Sequence, residues 1–304
     1  MEDRKDGDEV PVSLERLAGF AQTFGGEGVR ELNFYHVKEE EEEQVMLEEL
    51  KRLFCEKLEN GEGQSHRGEH PGCDQNEAQG VQIPDDAFLI TCLRVWQYSV
   101  HDAARVAANF ARFRTRQGWP YRLSASSLQR ELLSEVHWLL PGEDRAGRGV
   151  IVYNAHKIRE AVSAGATVCG LQQMGALLLE VALGRPGVPE RGVVAVVDAR
   201  GVGLDILGRF SVTDMGRGVA MWKDSFPCKI KKIHVIGLPW PLQATCSLIL
   251  GLLSAKLRGR VSVETGTTRL AEEVGSGNLP KELGGELELD WKGWVMSSEE
   301  LQRT

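Results

Sequence analysis

The sequence predicts an α/β protein: a mostly helical first part, then a largely parallel sheet with crossover helices. Two observations carry this. Between about residues 37 and 140, outside a polar linker, the apolar positions recur mostly at helical spacing. After Gly147 come four short β-branched runs: Val150–Tyr153 (VIVY), Val193–Asp198 (VVAVVD), Ile233–Ile236 (IHVI) and Val261–Glu264 (VSVE). Helical stretches separate them, and such alternation marks parallel strands joined by crossovers.

The elements follow in order. Residues 1–27 show no periodicity and read as a disordered acidic terminus. From about Val37 to Glu59, the spacing of Met46, Leu50, Leu53, Phe54 and Leu58 is that of an amphipathic helix. Residues 60–84, rich in Gly and polar groups, read as a flexible linker. Asp85 or Asp86 caps a second helix, with Phe88, Leu89, Cys92, Leu93 and Trp96 on one face. A third helix starts near Ser99 and ends at Gly118, with Pro120 beyond it. A shorter helical pattern covers about 126–140. Later helical stretches are Ile158–Leu183, about Phe210–Lys223, and Leu242–Ser254. The expected boundaries are a helical module over 28–122, a sheet domain over 123–294 and a tail over 295–304.

Length and charge fit this organisation. A chain of 304 residues suits about two domains. The net charge of −8 is uneven: residues 1–62 hold 18 acids and 8 bases, the rest 26 acids and 28 bases. The acidity is therefore local. The six cysteines stand alone in spacing, there is no glycosylation signal, and MEDRKDGDEV is no signal peptide. The longest apolar or small-residue run, Ala244 to Ala255, is short of the ~20 residues that cross a bilayer. These features point to the cytoplasm.

Catalytic motifs are missing. There is no P-loop, no G-x-S-x-G elbow and no H-E-x-x-H. Gly201, Gly203 and Gly208 follow a strand, but the third comes two positions late for a dinucleotide turn. His66, His70 and Cys73 lie in the polar linker without a fourth ligand, so a solvated loop is the better reading than a metal site. His234, among apolar strand neighbours, reads as a packed, hydrogen-bonded histidine. Asp198 ends a strand without an evident acid–base partner. The chain is not read as an enzyme and calls for no cofactor, metal or nucleic acid.

One segment stands out. In Pro239–Leu253, Leu242, Cys246, Ile249 and Leu253 recur at helical spacing, and Leu248, Leu250 and Leu252 make much of the remaining face apolar. Such a helix is a core helix, or covers an apolar cavity, or touches lipid. Residues 225–263 contain no acid but six bases, which frame it. That arrangement suits an anionic membrane surface. Lys229 and Lys231 alternate and share a side if extended, while Lys256 and Arg260 are four apart and share a face if helical.

The order of motifs resembles the CRAL-TRIO lipid-transfer family, in its α-tocopherol transfer protein and retinaldehyde-binding protein branch. Val29-Arg30-Glu31-Leu32-Asn33 and DDAFLITCLRVWQYSVHDAA are similar to its helical module. GRGVIVYNA, GVVAVVDARG, DSFPCKIKKIHVIGLP and LPKELGGEL are similar to successive landmarks of its lipid-binding domain. The match runs from about residue 28 to 294. Thr91 and Trp96 depart from the family's arginines, Arg94 being kept. Ile236-Gly237-Leu238-Pro239 replaces the I-N-E-P before its lid, and Gly216 and Gly218 interrupt the helix before DSFP.

The resemblance implies a mixed, largely parallel sheet as the floor of an apolar cavity, with a mobile lid helix above. It places Val193 and Val197 on the floor, Met221, Trp222 and Ile233 along the wall, and Leu242, Ile249 and Leu252 in the lid. It puts Lys229, Lys231, Lys256 and Arg260 where the tocopherol-transfer members bind phosphoinositide headgroups. The expected protein is an intracellular, peripherally membrane-associated carrier of one small hydrophobic lipid, tocopherol-like, retinoid-like or other. It would exchange that lipid at membranes containing phosphatidylinositol phosphates. A phosphoinositide-binding adaptor without transfer and a nucleotide-dependent oxidoreductase are the alternatives.

Overall fold

The computed structural model describes residues 30–59, 81, 84–120, 122–203, 214, 218, 226–252 and 254–302; for 30–40, 245, 249 and 252 this covers the backbone alone. The chain forms two units, residues 1–45 and 46–304. The described part of the first is helical, the opening of α1 (Arg30–Glu59).

In the second unit, Leu47, Leu50 and Phe54 of α1 are buried with Leu89, Cys92 and Leu93 of α2 (Asp86–Val95). Ala103, Ala104, Ala107, Ala108 and Ala111 of α3 (Val100–Gln117) complete this small core. Side chains that small let helices approach closely. The predicted punctuation holds: the Asp85 carboxylate accepts the Phe88 N–H at 2.9 Å, and Gly118 ends α3 at φ +63°.

The helix expected over 126–140 is shorter. Only α4 (Gln129–Leu133) forms, because Glu135 turns into the left-handed region and releases the chain. The apolar run Val136–Leu140 fits helix and strand alike, and edge pairing decides it: His137–Leu139 is β1.

β1 runs antiparallel to β2 (Gly149–Asn154). β3 (Val193–Asp198), β4 (Ile230–Ile236) and β5 (Val261–Glu264) follow in sequence order, each parallel to its neighbour. The mixed, largely parallel sheet is thus present. β4 begins three residues before its predicted start and takes in Lys231 and Lys232, with a register shift opposite Val193/Val194.

Right-handed crossovers between parallel strands laid down in order all fall on one sheet face. The first comprises α5 (Ile158–Ser163), α6 (Val168–Leu183) and α7 (Val188–Arg191). The single helix predicted over 158–183 breaks at Gly165, and Thr167 caps α6 by accepting the Gly170 N–H. The helix predicted at about 210–223 lies outside the described residues except for Asp214 and Gly218. In the last crossover a short turn, Trp240–Leu242, leads into α8 (Gln243–Leu252) and α9 (Ala255–Arg258). The C-terminal chain includes α10 (Thr268–Val274), whose Glu273 meets His234 on the opposite sheet face, α11 (Trp291–Ser297), which packs on α4, and α12 (Glu299–Gln302), which packs on α6; Leu270, Leu279 and Leu283 are fully buried.

Candidate functional site

Residues paired across neighbouring strands share a sheet face, so the register separates the two faces residue by residue. On one face lie Val152, Val196 and His234 in one row and Asn154, Asp198 and Ile236 in the next, all buried, with Glu273 of α10 against His234. The other face carries the rows His137–Tyr153–Val197–Val235–Val263 and Leu139–Ile151–Ala195–Ile233–Val261. α6 covers its β1–β2 side: a Cβ on Gly175 would stand 3.1 Å from His137 Nε2, and Ala182 closes over Gly149. Toward β5 the cover thins. Ala195, Val197, Ile233 and Val261 are half-buried and Val263 is 52% exposed. An apolar face, closed on one side and open on the other, results.

The predicted cavity residues distribute unevenly over it. Val197 and Ile233 lie on the open rows. Val193 shares that face but is sealed in the core, close to Val188 and the Gly149 backbone. Leu242 is buried at the entry to α8. Met221 and Trp222 lie outside the described residues, as do the side chains of Ile249 and Leu252. α8 itself is exposed: Trp240 at its approach is 81% exposed, Leu248 is 74% exposed, and nothing lies within 4 Å of a Cβ on Gly251. Trp240 and Leu248 thus present apolar side chains to solvent at and just before this helix.

Two polar rings on the open face escaped the sequence reading. His137 packs against Tyr153 with ring centroids 4.8 Å apart. Burial pushes the His137 imidazole down to about 3 and holds the Tyr153 hydroxyl above its ordinary value. His137 was hidden inside a mistaken helix. Tyr153 was visible, two residues beyond Ile151 on the same side of its strand.

The four basic residues singled out in the sequence come together at the entry to β4 and β5. The Lys229 ammonium is held below its usual range, first by burial and then by the nearby charges of Lys231, Lys256 and Arg260, with Asp102 opposing. Lys229 Nζ sits 5.2 Å from the centre of the Trp96 ring, and Arg105 lies over the same ring at 5.8 Å. Trp96, a departure from the family's arginine, therefore seats a cation on the edge of the helical module. Arg260 donates to the Ile230 carbonyl, which ties the β5 entry to β4. Among the described residues no acid pairs with Lys231 or Lys256.

The remaining candidates are occupied. Arg200 grips Asp198 through both carboxylate oxygens, at 2.9 and 2.7 Å, within a turn that includes left-handed Gly201. His234 is fully buried between Glu264, at 2.9 Å from Nδ1, and Glu273, at 3.3 Å from Nε2, as a packed histidine should be. Glu273 also holds Lys232 and Arg148, at 2.5 and 2.7 Å. His66, His70 and Cys73 lie outside the described residues. A further cleft of about 290 Å³ opens between α2, α3 and α6, lined by Phe88, Phe110, Leu183 and Glu180. None of the predicted site residues lines it.

The fold defines a class: an α/β protein whose mixed sheet keeps one apolar face partly open beneath crossover helices. Residues 133–285, half of the chain, match the CRAL/TRIO domain, and the chain belongs to that family. The human alpha-tocopherol transfer protein-like protein is 25% identical over 224 residues, 71% of this chain and 64% of that protein. Rat clavesin-1 is 22% identical over 212 residues, 68% of this chain and 59% of that protein. The chain thus spans less than two thirds of the length of these relatives. The crystal structure of Sfh5 superposes with a TM-score of 0.49 at 13% identity, over 80% of this chain and 87% of that one. Among the described residues no helix is long and apolar enough to cross a membrane.

Proposed function

We propose that the protein carries one small hydrophobic lipid on its open sheet face and exchanges it at membranes containing phosphoinositides. Burial supplies the affinity: each CH₂ withdrawn from water contributes about 0.8 kcal/mol, so an isoprenoid or acyl chain binds without charged contacts. Exchange requires α8 to meet the membrane, and its exposed Trp240 and Leu248 are suited to the interface. The observation that carries the membrane reading is the cluster of Lys229, Lys231, Lys256 and Arg260, in which, among the described residues, no acid pairs with Lys231 or Lys256. An ammonium such as that of Lys229, half-buried beside Lys231, Lys256 and Arg260, gains from an anionic headgroup placed next to it.

Each base near an anionic surface contributes about 1 kcal/mol, so removing two weakens binding by roughly 30-fold at low salt. The test is vesicle cosedimentation of Lys231→Ala/Lys256→Ala and Lys229→Ala/Arg260→Ala, with and without phosphatidylinositol bisphosphate. Both variants are expected to keep extractable lipid and to lose phosphoinositide-dependent binding and transfer. Binding equal to the parent's would reduce the patch to a solvated surface.

A further inference from the structure

We propose that the cleft between α2, α3 and α6 is a second binding site, separate from the open sheet face, and that it takes a small organic ammonium ion with a compact aromatic body.

The cleft has the form of a ligand site. Its volume of about 290 Å³ stands at the small end of the range that such sites occupy. Phe88 and Phe110, stacked with ring centroids 4.6 Å apart, make its apolar wall together with Leu123, Leu183 and Pro227. One of these rings already meets a cation: the Arg114 guanidinium lies 4.6 Å from the centre of Phe110.

The polar groups around the cleft are chiefly acceptors. The Glu180 side chain on this wall is 23% exposed, and its Oε1 takes a hydrogen bond from Arg114. Among the described residues its Oε2 has no partner. The Thr91 hydroxyl gives its proton to the Ala87 carbonyl at 2.9 Å and keeps only lone pairs for a ligand. Leu183 and Gly184 bring the C-terminal end of α6 to the cleft, with its partial negative charge. The cations nearby are already engaged. Arg114 pairs with Glu180, and Arg122 pairs with Asp85 at the rim, where the Arg122 side chain is 70% exposed and its charge is screened. An incoming carboxylate would face Glu180 and the negative end of α6, whereas an ammonium gains from both.

The Glu180 carboxyl shows the same shortage of positive charge. Burial pushes it up to about 7 against the pull of Arg114, with Asp85 adding to the rise. A cation bound beside Oε2 would hold the carboxylate ionised, so ligand binding and proton release are linked. Affinity for an ammonium should therefore grow as pH rises through about 7.

Isothermal titration calorimetry on the full-length protein compares three probes of similar shape: 2-phenylethylammonium, 2-phenylethanol and 3-phenylpropionate. At pH 8 the parent is expected to bind the ammonium about tenfold more tightly than the alcohol, the margin of a charge-assisted over a neutral hydrogen bond, and the propionate most weakly. The ammonium, which stays protonated throughout, should bind roughly tenfold more weakly at pH 6, where Glu180 is mostly neutral. Glu180→Gln should bring the ammonium down to the alcohol's affinity and abolish the pH dependence. The inference is overturned if the parent binds the ammonium no better than the alcohol or the propionate, or if Glu180→Gln keeps the preference. The order of the three probes needs no variant, so it decides the matter even if the substitution unfolds the chain.

Discussion

His137 should govern how the protein responds to acid. Its imidazole is buried beneath Gly175 and against Tyr153, and that burial pushes it from the ordinary value of 6.5 down to about 3. Below pH 6.5 the unfolded chain takes up a proton that the folded protein refuses. Stability therefore falls as pH drops through the window from 6.5 to about 3, and the loss is absent above 6.5. Each pH unit inside the window is worth about 1.4 kcal/mol, so at pH 5 the deficit is about 2 kcal/mol. His137→Leu keeps the volume and removes the titration. Urea unfolding of parent and variant at pH 7.5, 6 and 5 measures the difference directly. Acids shared by the two proteins, such as Asp198 and Glu273, cancel in that difference. The variant should gain on the parent steadily below pH 6.5, reaching about 2 kcal/mol at pH 5. A difference that does not change with pH would refute the reasoning.

Two further outcomes follow from single positions. Burial pushes the Glu180 carboxyl up to about 7 against the pull of Arg114, so the folded protein holds a proton that the unfolded chain releases above about 4.5. Stability should fall as pH rises from 4.5 to 7, by on the order of 1–3 kcal/mol. Urea midpoints of Glu180→Gln at pH 5 and 8 should lack that fall, and an unchanged slope would exonerate Glu180. Gly192 enters β3 at φ +84°, and an added Cβ would collide with the Lys229 carbonyl and press on the Lys231 side chain. Gly192→Ala should lose about 2 kcal/mol or more and weaken vesicle binding through the displaced basic patch; near-parental values of both would contradict this.

The strands were legible because β-branched runs such as VVAVVD have no competing reading. Strand β1 was not, since Val136–Leu140 satisfies either periodicity and the choice is made by antiparallel pairing with β2, where Leu139 meets Ile151. Glu135 in the left-handed region gives no warning in sequence, being neither Gly nor Asn. The Gly165 break in 158–183 was visible as a residue but not as a turn, because an isolated glycine is tolerated in helices. In the candidate site, Lys231 falls at the register shift of β4, which no alternation in the sequence announces, and the approach of Lys229 to Lys256 and Arg260 depends on β4–β5 pairing. The ring of Trp96 beneath Lys229 depends on packing between distant helices and strands. Val193 and Val197 share a face by the period of two, yet coverage by α6 and α7 separates their fates.

The most direct measurement is organic extraction of the purified protein followed by mass spectrometry, run beside a folded Val197→Asp variant. The carrier account predicts a single neutral lipid in near-equimolar amount from the parent. It predicts none from Val197→Asp, whose carboxylate would lie unpaired on the apolar face beside Tyr153. A parent that binds phosphoinositide vesicles yet yields no lipid, or a folded variant that retains it, would contradict the account.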